Sequence, residues 1–263
     1  MRHVPHPVVV ITALDCPALS PDDHAGKRTA RIPDHWADTE IPSSISRHDQ
    51  VGDPRILAPL PRAMTASSFT SLTLDPTPTI LFNVTIPSRS HSAILRAGSF
   101  NVHILSADEH GAKLADLFAR GYSSANSVSA TSTSRQEPLG VLAGLKNYGV
   151  DIAGQLQWEE AWAASLKQKS PSIRPSADSF PAPLLQGPGI LHVLKCKLVD
   201  LQSLETTEAR CFALVAGQVT EVVSANEPDH SMGEHQTALS YVDGAYRGPS
   251  PAIMRHSVSA NSQ

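Results

Sequence analysis

Apolar and polar side chains alternate in two separate stretches of the chain. Residues 80–86, ILFNVTI, place Ile80, Phe82, Val84 and Ile86 on one side and Leu81, Asn83 and Thr85 on the other. Residues 99–105, SFNVHIL, set Phe100, Val102 and Ile104 against Asn101, His103 and Leu105. A period of two belongs to a strand, because successive side chains of a pleated backbone point to opposite faces. Both stretches are predicted strands with one apolar and one mixed face. VVVIT at 8–12 predicts a buried strand, and the Val- and Leu-rich runs GILHVLKCKLV and FALVAGQVTEVV predict an antiparallel pair. TASSFTSLTL, ended by the turn DPTPT, and ALSYVDGAY complete the strands.

Helical spacing is rarer. In PSRSHSAILRAG, Ser88 or Ser90 can cap a short helix that stops at Gly98. In SADEHGAKLADLFARG, Ser106 with Glu109 forms a capping box, Ala112, Leu114, Ala115, Leu117 and Phe118 form the apolar face, and Gly121 suits the stop. Leu156, Trp158, Trp162 and Leu166 predict a further helix over 155–168. Pro-, Ser- and Asp-rich stretches at 14–61, 122–137 and 167–187 have no period and read as irregular insertions. About six strands with a few short helices predict a mainly β, antiparallel barrel. No repeat or second core is visible, so a single domain over 1–248 is expected, with 249–263 a flexible tail.

Composition narrows the partners. The net charge is −4 over 263 residues with no basic block, which argues against nucleic acid or an anionic membrane. No apolar run approaches the ~18 residues that cross a bilayer. MRHVPHPVVVITA has neither a secretory nor an Arg/Ser-rich amphipathic leader pattern, so a cytoplasmic location is expected, with a mitochondrial one left open. Cys16, Cys196 and Cys211 are far apart and odd in number, which suggests neither disulfides nor a zinc knuckle. None of the 12 histidines pairs with another at metal-ligand spacing beside a carboxylate, so no metal is expected, and His24, His35 and His48 read as loop residues. No nucleophile elbow, P-loop or Gly-rich dinucleotide motif occurs, and no catalytic residue is assigned.

Three segments could converge on a ligand. MTASS offers hydroxyls and backbone N–H groups. Ser88, Arg89 and Ser90 stand at a strand end and helix start, where unpaired N–H groups and the helix dipole favour a phosphate and Arg89 adds a charge-assisted fork. Asn101 and His103 share a strand face. A planar heteroaromatic ligand with a phosphate tail fits such a set. Each residue also has a plainer reading: a solvent-facing strand hydroxyl, a surface cation, a helix cap, a satisfied buried histidine.

With HPVVVITA (6–13), RAMTASSFTSLTLDPTPTILFNV (62–84), PSRSHSAILRAGSFNVHILSADE (87–109), LADLFARG (114–121) and the paired strands near 190–223, the chain resembles the flavin reductase-like family of FMN-binding split β-barrels. The resemblance implies a six-stranded antiparallel split β-barrel, a homodimer, FMN or FAD as cofactor, NAD(P)H as hydride donor and, in some systems, a partner monooxygenase. It further implies that Thr65, Ala66, Ser67 and Ser68 lie along the flavin, that Asn83 sits near its ribityl chain, and that Ser88, Arg89 and Ser90 take the phosphate. Asn101 and His103 would approach the ring or the pocket wall. Two alternatives stay open: a flavoprotein oxidase or oxygenase acting on a small organic substrate, and a flavin-binding module without turnover. Many family reductases carry Gly-Asp-His where this chain has Arg210, Cys211 and Phe212.

Overall fold

The computed structural model describes residues 4–15, 60–119, 140–153, 181–199, 211–224 and 237–248. The strands in chain order are β1 (His6–Pro7), β2 (Val9–Asp15), β3 (Leu60–Ala66), β4 (Thr70–Thr73), β5 (Thr79–Thr85), β6 (Ser99–Leu105), β7 (Asp151–Ala153), β8 (Leu184–Gln186), β9 (Ile190–Val199), β10 (Phe212–Ser224), β11 (Ser240–Val242) and β12 (Ala245–Arg247). Helices α1 (Arg89–Ala97) and α2 (Glu109–Ala119) and a 3-10 helix, Gly140–Tyr148, complete the elements. The main sheet is antiparallel, in the order β3-β2-β6-β9-β10-β5-β4, beside the small sheets β1-β11-β12 and β7-β8.

Seven strands stand in the main sheet, where six were expected. The stretch TASSFTSLTL is not one strand. β3 ends at Ala66 after pairing with β2, and β4 begins at Thr70 to pair with β5. These two strands lie at opposite ends of the sheet order, yet only Ser67–Phe69 separate them. Four residue steps reach at most about 14 Å, whereas seven strands side by side in a flat sheet would spread over about 29 Å. The sheet must therefore roll until its ends approach. The rings of Phe82 on β5 and Phe100 on β6, three places apart in the order, meet edge to face at 5.6 Å inside the roll. Gly217 on β10 makes room for the Phe100 ring: a Cβ there would run into its edge and lie 3.1 Å from Cys196 Cβ.

Rolling creates two apolar layers. Ile11, Ile80, Phe82, Val102 and Val215 face inward with Ile94 of α1. Val10, Leu105 and Val193 face outward under Leu114 and Phe118 of α2, Leu145 of the 3-10 helix and Leu185 of β8. β2 feeds both layers and is buried along its whole length, its apolar residues packed on both sides and its two polar ones, Thr12 and Asp15, hydrogen-bonded. At its end the buried Asp15 carboxylate accepts from Arg96 of α1 (Nη2, 2.6 Å) and Arg62 of β3 (Nη2, 3.3 Å).

Ser88 caps α1, its Oγ accepting from the His91 N–H at 3.2 Å, and Gly98 closes the helix in the left-handed region (φ 66°). For α2 the cap is Asp108, whose Oδ1 accepts from the Gly111 N–H at 2.8 Å. The capping box at Ser106 does not form, because Ser106 is still bridged to Ala238 and donates its N–H to Gly189. The predicted helix over 155–168, Gly121, the stretch 122–137 and the tail lie outside the described residues. Among the described residues no helix is long and apolar enough to cross a membrane.

Candidate functional site

β5 sends Ile80, Phe82 and Val84 into the roll and leaves Asn83 and Thr85 exposed outside. Directly opposed residues of antiparallel strands share a face. Thr85 opposes Phe212 and Asn83 opposes Leu214 on β10, while Leu81 opposes Thr70 on β4. Ser68 prolongs the line of β4: its Oγ accepts from the Asn83 N–H at 2.9 Å, taking the place of a ladder bond. The structure thus brings Ser68 and Asn83 together, and leaves Ser67 exposed beside them in the link between β3 and β4. Beyond Thr85 the chain turns, the Ile86 N–H donating to the Cys211 carbonyl at 3.0 Å, and α1 starts. Arg89 is exposed and Ser90 half-buried there. Both lie in the first helical turn, where N–H groups have no intrahelical acceptor and the dipole favours an anion.

The other predicted site residues are engaged within the fold. Thr65 Oγ1 donates to the Ala115 carbonyl of α2 at 2.9 Å, and the Ala66 side chain is buried in the inner layer. Asn101 and His103 are buried on β6 beneath the segment leading into β8. Asn101 Nδ2 donates to the carbonyls of Ala182 (2.9 Å) and Pro183 (3.1 Å). His103 Nε2 accepts from the Leu185 N–H at 3.0 Å. A backbone amide can only donate, so Nε2 is unprotonated and the proton sits on Nδ1, which donates to the Val10 carbonyl at 3.1 Å. Burial pushes the His103 pKa down from 6.5 to about 4, against the Val10 bond, which acts the other way. Thr12, opposite Asn101 in the β2–β6 ladder, donates to Pro183 as well.

Thr85 shares the outer face by the alternation of β5 itself, whereas Phe212, Leu214 and Thr70 come from other strands, and only strand register brings them beside Asn83 and Leu81. Among the described residues no group of His, Cys, Asp or Glu could hold a metal ion. Burial raises the Cys196 thiol to about 12, which leaves it an inert core residue.

A rolled antiparallel sheet with a neutral hydroxyl and amide face running into a helix start narrows the class. The family model for the flavin reductase-like domain matches residues 1–250, so the chain belongs to that family of oxidoreductases, as its motifs implied. Among solved structures it is similar to the NADH:FAD oxidoreductase SgcE6 of Streptomyces globisporus C-1027 (19% identity, 95% of this chain and 89% of that one, TM-score 0.47). It is also similar to nitrilotriacetate monooxygenase component B of Mycobacterium thermoresistibile (19%, 98% and 90%, 0.46) and to the styrene monooxygenase flavin reductase of Pseudomonas putida S12 (15%, 95% and 96%, 0.45). The chain spans half the length of a similar protein from Sinorhizobium meliloti 1021.

Proposed function

We propose that this chain is an NAD(P)H-dependent flavin reductase that binds FMN, with FAD the alternative, on the outer face of β4, β5 and β10. The supporting observation is the continuity of that face: Ser68 hydrogen-bonded to Asn83, and the same strand running on to Ser88, Arg89 and Ser90 at the start of α1. The donor set suits a phosphorylated planar ligand, with uncharged hydrogen-bonding groups for the ring and ribityl chain and an anion-favouring helix start for the phosphate. Ser88, Arg89 and Ser90 would hold the phosphate. The main chain of Thr65–Ser68 would run along the flavin, and Asn83 beside its ribityl chain. Asn101 and His103 take a supporting part, since Asn101 Nδ2 and both His103 ring nitrogens are already bonded inside the fold. Bound flavin would supply hydride acceptance from NAD(P)H, and the protein orientation and electrostatics.

In the same reading the rolled sheet is a split barrel with β4 added at its edge. Residues 1–248 form one cytoplasmic domain with the insertions expected at 14–61, 122–137 and 167–187, the first confined to the stretch between β2 and β3 and the last ending before β8, because Leu14, Asp15, Leu60, Pro61 and Leu184–Gln186 belong to strands. Two copies pair, and a monooxygenase receives the reduced flavin. Phe212, standing where many relatives have a histidine, favours a second reading: a flavoprotein that keeps its FMN and oxidises or oxygenates an organic substrate. Adding NADH and NADPH separately to the flavin-loaded protein decides. Bleaching of the visible flavin bands supports the reductase. Retention of colour with both nucleotides supports the second reading. A protein that stays colourless after incubation with FMN overturns both.

A further inference from the structure

Phe82, Phe100 and Phe118 are almost wholly buried, but Phe212 opens β10 with 58% of its surface exposed, and Leu214 follows at 46%. An aromatic ring left in water on a regular strand forgoes a large hydrophobic gain. Phe212 is fixed there by two contacts of its neighbourhood. It opposes Thr85 in the β5–β10 ladder, and the preceding carbonyl, of Cys211, accepts from Ile86. Its ring therefore shares a face with Asn83, Thr85 and Leu214.

We infer that Phe212, with Leu214 beside it, is the apolar wall on which the isoalloxazine ring of a bound flavin rests. The inference rests on the flavin reading above and adds to it a role for the residue at which this chain departs from the family's Gly-Asp-His pattern. Two features select a flavin ring over other occupants. The groups around the wall on that face, Ser68, Thr70, Asn83 and Thr85, are all uncharged hydrogen-bonding residues. They suit a ring with an apolar body and an edge of carbonyl and N–H groups. The cationic end, Arg89 with the start of α1, lies three to four residues beyond Thr85. Three residue steps span at most about 11 Å, a separation that a ribityl chain bridges. A ligand laid with its ring on Phe212 places its phosphate at Ser88–Ser90.

The test compares FMN with riboflavin, which lacks the phosphate, by fluorescence titration of wild type, Phe212→Ala, Phe212→Tyr and Arg89→Ala. Circular dichroism and solution mass are recorded for each. A ring contact makes Phe212→Ala weaken both ligands by a similar factor, roughly three- to tenfold. Phe212→Tyr, which keeps the ring, stays within about twofold of wild type, and mass is unchanged. Arg89→Ala weakens FMN and spares riboflavin. Equal affinities in wild type and Phe212→Ala overturn the inference while leaving the flavin reading intact. So does a loss of binding in Phe212→Ala that follows a fall in mass, which would make Phe212 a subunit contact. Failure of the wild type to bind either ligand overturns the flavin reading itself.

Discussion

β5 and β6 carry nearly the same pattern and end in opposite circumstances. Each alternates apolar and polar residues, each has an asparagine in mid-strand, and each packs its phenylalanine into the same ring pair. Yet Asn83 is exposed while Asn101 is buried. The difference is what lies above. The outer face of β6 is covered by residues 182–185, whose backbone groups are satisfied by Thr12, Asn101 and His103. A buried polar group costs free energy unless it is bonded, so these side chains have become fastenings between layers. On β5 the equivalent groups face outward and remain available to a ligand. Alternation tells which side of a strand a residue takes, and only the second layer decides whether that side can function.

The sharpest break of this comparison is His103→Ala. It leaves the Leu185 N–H unsatisfied, removes the side-chain partner of the Val10 carbonyl and opens a cavity, and should cost about 3–4 kcal/mol of stability. Asn83→Ala, on the open face, should stay within about 0.5 kcal/mol. Urea unfolding of the two variants measures both. Protonation should mimic the larger effect. The His103 pKa falls from 6.5 in the unfolded chain to about 4 in the fold. Between those values the unfolded state binds the extra proton, so stability is full above pH 6.5 and is lost as the pH drops towards 4. Its size is about 3 kcal/mol. Urea midpoints at several pH values should show this slope in the wild type and a weaker one in His103→Ala.

The elements that were legible are those whose own residues determine them. The alternation of β5 and β6, the apolar run of β2, Ser88 as the cap of α1 and Gly98 as its stop all sit in local sequence. What was hidden depends on partners. The break between β3 and β4 exists because each pairs with a different end of the rolled sheet. Ser106 looks like a cap, but Ala238 holds it in an extended bridge, and the cap passes to Asp108. β8 is three residues long in a Pro- and Ser-rich stretch, yet it decides that Asn101 and His103 are covered. Of the proposed site, the run along β5 into α1 was readable; Phe212 stood out only as a departure from the family's Gly-Asp-His pattern, and its place beside Asn83 with Leu214 comes from strand register, which no spacing shows.

On the open face the effects should fall on binding rather than folding. Arg89→Ala should weaken FMN by about 1.5–3 kcal/mol if the guanidinium makes a charge-assisted phosphate contact. Its urea midpoint should stay that of the wild type, since Arg89 is exposed at the helix start. An unchanged FMN affinity would return Arg89 to the role of a surface cation. Ser68→Ala is the smallest and most discriminating change. It removes the hydroxyl that accepts from the Asn83 N–H. Water can reach this exposed amide, so the stability loss should be no more than about 1 kcal/mol. If Ser68 only replaces a ladder bond, flavin affinity will be untouched. If the pair positions the face for a ligand, affinity should fall by more than stability does. Comparing the urea midpoint with the FMN dissociation constant in this one variant separates a strand-edge fastening from a binding group.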